Sequence, residues 1–305
     1  MPSATTTTHY CASCLSEFEA TFGYYCHSCL EWRCEDCGRC EDTGFCSEED
    51  TDDDCDSDST RDLRVLSWDY RPLSFRPKGN YPNEALLGVE LEVGGLQDQI
   101  ADAVERVGDD HLYMKEDGSI CGVEIVTHPM TLAWARKYPF GNLLRELRNA
   151  ATYVDDDYGL HIHVSRNAFQ RNGKQSAAHQ MMWLLFIYRN VDSVERLARR
   201  SSDRWASFRK PFPGELARKA KSIDEDDRYV AVNCNNEKTY ELRFFKSTLD
   251  EQEFYAALEF ADASVRYTRA LSIRDVLRGK AITWRHFTAW VRRHNYRYLL
   301  AEISR

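Results

Sequence analysis

The sequence contains no run of about 18 apolar residues, the length needed to cross a bilayer. The stretch "MMWLLFIY" (181–188) is far too short. The opening "MPSATTTTHYC" has neither a basic nor an apolar segment, so no secretory signal and no membrane contact are expected, and the expected location is cytoplasmic. Basic residues are scarce in the first 60 positions, with 2 Lys/Arg against 15 Asp/Glu. The remaining residues carry 38 bases and 34 acids, so the net charge of −9 hides an acidic front and a near-neutral body. An acidic front argues against binding a phosphate backbone there, and the body has no dense basic tract. Cysteine is nearly absent after position 55, where only Cys121 and Cys234 of the 11 stand.

What the front does have is thiols. Residues 9–46 read "HYCASCLSEFEATFGYYCHSCLEWRCEDCGRCEDTGFC". Three Cys-x2-Cys pairs stand there: Cys11 with Cys14, Cys26 with Cys29, and Cys34 with Cys37. Cys40 and Cys46 follow. Eight thiols suffice for two structural Zn²⁺ ions with four sulfurs each, and metal would supply the folding energy that so small a module cannot bury. Sequential and cross-braced pairings both fit, with His27 and Cys55 as spare donors. The expected organisation is a Cys-rich zinc module over 1–46, an acidic flexible linker over 47–62 and a larger body over 63–305.

In the body, strand patterns are expected over 86–93, 122–127, 159–165, 228–234 and 239–246, the last two flanking the hairpin turn "NNEK". Helical periodicity marks 96–108, 141–152, 175–200, 250–277 and 283–304. Short strands with long helices concentrated late predict an α+β domain with an antiparallel sheet.

The strands share one feature. In "GVELEV" Val89, Leu91 and Val93 alternate with Glu90 and Glu92. In "CGVEIVTHP" Glu124 lies between Val123 and Ile125, and in "GLHIHV" His161 and His163 alternate with aliphatics. In "TYELRFF" Glu241 and Arg243 do the same. Each pattern alone fits a solvated strand face or a cross-strand ion pair. Together, on neighbouring strands, they would gather carboxylates and imidazoles that need a compensating cation. Hard oxygen donors with one or two imidazoles suit Mg²⁺ or Mn²⁺, and Arg243 suits a phosphate.

Taken in order, "GVELE", "EDGSICGVEIVTHP", "GLHIHV" and "VNCNNEKTYELRFFKSTL" resemble the motifs of the amidoligase family, within the glutamine synthetase and glutamate–cysteine ligase superfamily. The resemblance spans roughly residues 84–250. It implies an antiparallel sheet whose concave face binds ATP with two or three divalent ions. It implies a reaction in which a carboxylate is phosphorylated and an amine displaces the phosphate. By this resemblance Glu90, Glu92, Glu124, His161 and Glu241 are metal ligands, His163 lies nearer the ATP phosphates and Arg243 binds phosphate. Asp117 is the first member of an acidic pair with Glu124. On the hairpin beside Cys234, Asn233 is a candidate contact for nucleotide or substrate, or else a structural residue of the turn. The substrates would be an acid and an amine. The Cys-rich front lies outside the resemblance, and it is expected either to dock a protein or peptide substrate or only to stabilise the front of the body.

No side-chain nucleophile is evident, and Cys121 reads as a buried structural cysteine. "FRP" (75–77), Arg136, Lys137 and the basic run "RLARRSSDRWASFRKPF" read as solvated faces or as the rim of a substrate entrance. A cupin-type site would need an acid shortly after the second His, and "VSRNAFQ" has none. A divalent-metal hydrolase or nuclease could use the same carboxylates. A zinc-module adaptor with an inactive ligase-like body is the non-enzymatic alternative.

Overall fold

The structure is a computed structural model. It describes residues 62–79, 84–108, 110–118, 120–171, 173–201, 206–208, 230–278 and 281–305, with the backbone of four short strands nearer the N-terminus. The chain divides into two units, Met1–Ser59 and Thr60–Arg305, and the division falls inside the acidic stretch 47–62.

In the first unit β1 (Thr8–Tyr10) pairs antiparallel with β2 (Glu17–Glu19), and β3 (Gly23–Cys26) with β4 (Glu31–Cys34). Of the eight cysteines expected to bind zinc, Cys26 ends β3 and Cys34 ends β4, where the backbone alone is described. The other six, Cys11, Cys14, Cys29, Cys37, Cys40 and Cys46, lie outside the described residues, as do the spare donors His27 and Cys55.

The second unit is an α+β fold built on an eight-stranded, mostly antiparallel sheet. Its strands are β5 (Val65–Leu66), β6 (Leu86–Gly94), β7 (Leu112–Lys115), β8 (Gly122–Thr127), β9 (Met130–Thr131), β10 (Gly159–Ser165), β13 (Val232–Asn233) and β14 (Thr239–Lys246). The order is β13-β14-β10-β6-β8-β7-β5, with β9 also paired to β6. Among the described strands of this sheet, only the β5–β7 pair is parallel. A separate small ribbon joins β11 (Gln170–Arg171) to β12 (Lys174–Gln175).

Period-2 alternation decides which face each side chain takes. Leu87, Val89, Leu91 and Val93 of β6, Val123 and Ile125 of β8, and Leu160, Ile162 and Val164 of β10 are buried in the core. Helices cover that face. Phe140 and Leu143 of α3 (Phe140–Asn149) and Phe254 of α6 (Glu251–Arg269) meet Val89, Leu91 and Ile125 around a small gap. Trp183 of α4 (Ala177–Arg189) packs on Tyr240 of β14 and on Phe169, with ring centroids 5.4 and 5.1 Å away. Its indole N–H donates to Ser264 Oγ at 2.8 Å, so burying the ring leaves no polar atom unpaired. α6 is buried along most of its length, as its alanine-rich sequence allows.

Several expected elements are shorter or divided. The segment 175–200 becomes α4 and α5 (Val191–Ala198), broken at Asn190. The Asn190 amide donates to the carbonyls of Phe186 and Ile282 and its Oδ1 accepts from Trp284 N–H, which ties the break to a distant loop. The segment 250–277 divides after Arg269, and α7 (Ile273–Leu277) restarts with a capping box of Ser272 and Asp275. The segment 283–304 becomes α8 (Trp284–Val291) and α9 (Arg297–Ile303). The remaining α-helices among the described residues are α1 (Gln97–Val107) and α2 (Leu132–Ala135). Of the strand expected over 228–234, residues 228–229 lie outside the described residues and Val232–Asn233 is strand among the rest, and β5, β7 and β9 were not expected. Among the described residues no helix is long and apolar enough to cross a membrane.

Candidate functional site

The opposite face of the same strands is built from the alternate residues. Register places Glu90 opposite His161 and Glu92 opposite Glu124. It also sets His163 opposite Glu241, and Glu241 opposite Asn233. The register between β10 and β14 shifts at His161, where Arg243 and Phe244 together stand against one residue. Such a bulge re-aims side chains locally, and here it falls at the arginine nearest the carboxylates.

Glu92, Glu124, His161 and Glu241 are each 3–5 % exposed, and Glu90 is half-buried. His161 stands between two groups of carboxylates. Its Nδ1 lies 3.6 Å from Glu90 Oε2 and 3.7 Å from Glu241 Oε1, and its Nε2 lies 3.6 Å from Glu92 Oε1. These separations are too long for hydrogen bonds. Around a six-coordinate ion with bonds of about 2.1 Å, neighbouring donors stand about 3 Å apart and opposite ones about 4.2 Å. One ligand atom each from Glu90, His161 and Glu241 lies within 4.8 Å of the others. Two carboxylates and one imidazole at this spacing fit a hard divalent ion.

Most of the carboxylate oxygens here already have a partner, including Glu241 Oε1, which faces His161 and is also the oxygen in contact with Arg243. His163 Nε2 lies 3.0 Å from Glu90 Oε1, and its Nδ1 lies 3.1 Å from Thr239 Oγ1. Asn233 donates to Glu241 Oε2 at 2.9 Å, and Arg243 Nη1 lies 2.5 Å from Glu241 Oε1. The Gly159 N–H donates to Glu92 Oε2. Partners of this kind orient ligating groups and restrict their rotation.

The electrostatics follow from burial and these contacts. Burial opposes ionisation of Glu90, but His163 and His161 outweigh it and hold the carboxyl well below its usual range. Burial raises Glu92 in spite of His161 and the Gly159 N–H. Burial, and then the like charge of Glu90, push Glu124 up to about 9. Burial also works against a charged His163, yet Glu90 lifts it to about 9.

Of the remaining candidates, Asp117 is half-buried in the turn between β7 and β8, and its charge is felt at both Glu92 and Lys115. Asn233, expected as a nucleotide or substrate contact, is buried with its side chain spent on Glu241 and on the Asn235 N–H. Cys121, expected to be buried, is half-buried and disulfide-bonded, so it offers no thiolate. Arg136, read as part of a solvated face or entrance rim, binds the buried Glu259 at 2.6 Å.

Of two further cations at the floor, Lys115 was not singled out from the sequence, and Arg200 lies in the basic run read as a solvated face or the rim of an entrance. Lys115 lies opposite Glu124 on β7, with Nζ 2.9 Å from Glu124 Oε2. The alternation in "LYMK" was its available signal. Arg200 is 7 % exposed and follows Arg199, whose φ of 55° turns the chain at the end of α5. Its Nη2 donates to the Asp157 carbonyl at 3.2 Å, and Glu92 lies within its electrostatic reach. A Cβ on Gly159 would fall 2.5 Å from His161 Nε2 and 3.0 Å from Arg200 Nη1, so only glycine leaves room for both groups. Periodicity carries no signal for Arg200, which belongs to no strand.

The donor set can hold a divalent ion beside two guanidinium groups, an arrangement suited to neutralising an anionic substrate. No family model and no curated protein matches this chain at a significant level, so the chemistry of the floor rests on its geometry and its donor set.

Proposed function

We propose that the protein is an ATP-dependent carboxylate–amine ligase of the amidoligase type, with a glutamine synthetase-like sheet as its catalytic body. The observation that carries the reading is the gathering of Glu90, His161 and Glu241 around one point on three adjacent strands, with Arg243 alongside. Four sequence motifs in the family's order add to it.

In the proposed reaction a carboxylate oxygen of the acid attacks the γ-phosphorus of ATP and ADP leaves. The amine nitrogen then attacks the acyl carbon, the C–O bond to phosphate breaks and the amine sheds a proton. A magnesium or manganese ion at Glu90, His161 and Glu241 would neutralise charge on the phosphoryl oxygens when bound. Arg243 offers a fork of donors to the same oxygens. His163 is held on Glu90 and Thr239, placed to keep the Glu90 carboxylate in its ligating orientation. Phosphoryl transfer needs positioning and charge neutralisation rather than a protein nucleophile, which accords with a floor of carboxylates, imidazoles and cations.

In this reading the N-terminal cysteines form a module holding two zinc ions. The module docks a protein or peptide substrate through the acidic tether, and the protein acts in the cytoplasm. Calorimetry of ATP with Mg²⁺ on the full chain tests the enzymatic reading. Binding in the wild type that is lost in Glu241→Gln, with the fold intact by circular dichroism, is the expected result. No magnesium-dependent ATP binding by the folded wild type would overturn the ligase in favour of a metal-dependent hydrolase.

A further inference from the structure

The polar floor holds two opposed pairs of carboxylates, and they are equipped differently. In the first, Glu90 Oε2 and Glu241 Oε1 flank β10 and both face His161 Nδ1 across 3.6–3.7 Å gaps, with Arg243 beside the Glu241 oxygen and the imidazole as a third donor between them. In the second, Glu92 and Glu124 lie directly opposite each other on β6 and β8. Two buried carboxylates in that position cannot both ionise without a cation between or beside them. The chain already supplies one. Lys115 comes from the next strand, its side chain is 19 % exposed, and its ammonium is in direct contact with Glu124 Oε2 at 2.9 Å. Glu92 is meanwhile held by the Gly159 N–H and lies near Arg200.

We propose that Lys115 occupies the place of a second cation, so that the floor takes one divalent ion, at Glu90, His161 and Glu241, in place of the two or three that the family resemblance implies. This rests on the metal reading above. A lysine ammonium and a divalent ion are both compact, strongly hydrated cations, and each can neutralise a carboxylate pair. The tethered one cannot dissociate, so the Glu92–Glu124 pair is closed to exchangeable metal. Glu124 is then the lysine's partner, not a ligand. A phosphate group arriving at the floor would meet one exchangeable metal ion and one fixed ammonium.

Counting manganese bound to the full chain tests this, using electron paramagnetic resonance of free Mn²⁺ with Glu241→Gln as the background for nonspecific sites. One specific ion in the wild type, and two in Lys115→Met with the line broadening of a coupled manganese pair, is the expected result. Glu124→Gln should keep the single ion of the wild type. Two specific ions in the wild type would overturn the proposal, as would one ion in a folded Lys115→Met. No specific ion in the wild type would instead overturn the metal reading beneath it, and ATP calorimetry would fail alongside.

Discussion

The two faces of this sheet are made by the same strands and obey opposite rules. On one, Leu87, Val89, Leu91 and Val93 meet a helical layer and leave water. On the other, Glu90 and Glu92, one residue out of step, are brought against His161, His163, Glu124 and Glu241. The apolar face stabilises the fold by burial. The polar face concentrates charge where burial makes charge costly, and it persists because the apolar face holds the strands in register. The difference teaches that this fold carries a destabilised face on a stable one, as expected where binding strength is held ready for a ligand.

The comparison breaks most severely from the apolar side. Trp183→Ala removes a fully buried indole and takes the donor away from Ser264 Oγ, so a loss of about 3–5 kcal/mol is expected. Urea unfolding followed by circular dichroism measures it. A loss below about 1 kcal/mol would mean that α4 can collapse onto the sheet, contrary to a tightly packed layer.

Histidine sharpens the contrast, because the two sides treat it oppositely. His179, among the helices against Phe169, is lowered to about 4 by burial, and His111 is lowered to about 4 by burial and then by His128. His163 on the polar face is raised to about 9. For His179 and His111 the unfolded chain binds protons that the native state refuses. Stability should therefore fall as pH drops from about 6.5 towards 4, by on the order of 2 kcal/mol per residue. Proton NMR of the metal-free protein should show the His163 ring still charged at pH 7.5 and the His179 ring neutral at pH 5.5. All three rings titrating together near 6.5 would erase the distinction.

The smallest effect is a gain. Glu92 is raised by burial, so the native state is penalised as pH climbs above the carboxylate's unfolded value and through its folded one. In metal-free protein Glu92→Gln keeps an acceptor for the Gly159 N–H and removes the charge. It should raise stability by on the order of 1 kcal/mol at pH 8 and by less at pH 5. Thermal melts at the two pH values check this, and an equal change at both would point to packing rather than charge.

Much of this was legible from residue types alone. The expected ranges 122–127, 159–165 and 239–246 coincide with β8, β10 and β14, because alternation on a half-buried strand is a local signal. The helical segments were legible as helices but not as pairs. Asn190 and Ser272 end or restart them through contacts and caps that periodicity does not report. β7 escaped notice because four residues make a weak pattern, and Lys115 went with it.

By itself, then, the sequence determined which side chains share a face, since that depends only on the two-residue repeat of a strand. It determined the donor types, carboxylate and imidazole, and so the class of ion they suit. Only the tertiary structure decided which donors meet. Strand order set β10 between β14 and β6, and so put His161 between Glu241 and Glu90. Register set Glu92 against Glu124, and the antiparallel pairing of β7 with β8 brought in Lys115. Strand order and register are settled by packing between residues far apart in the chain, and no local pattern encodes them.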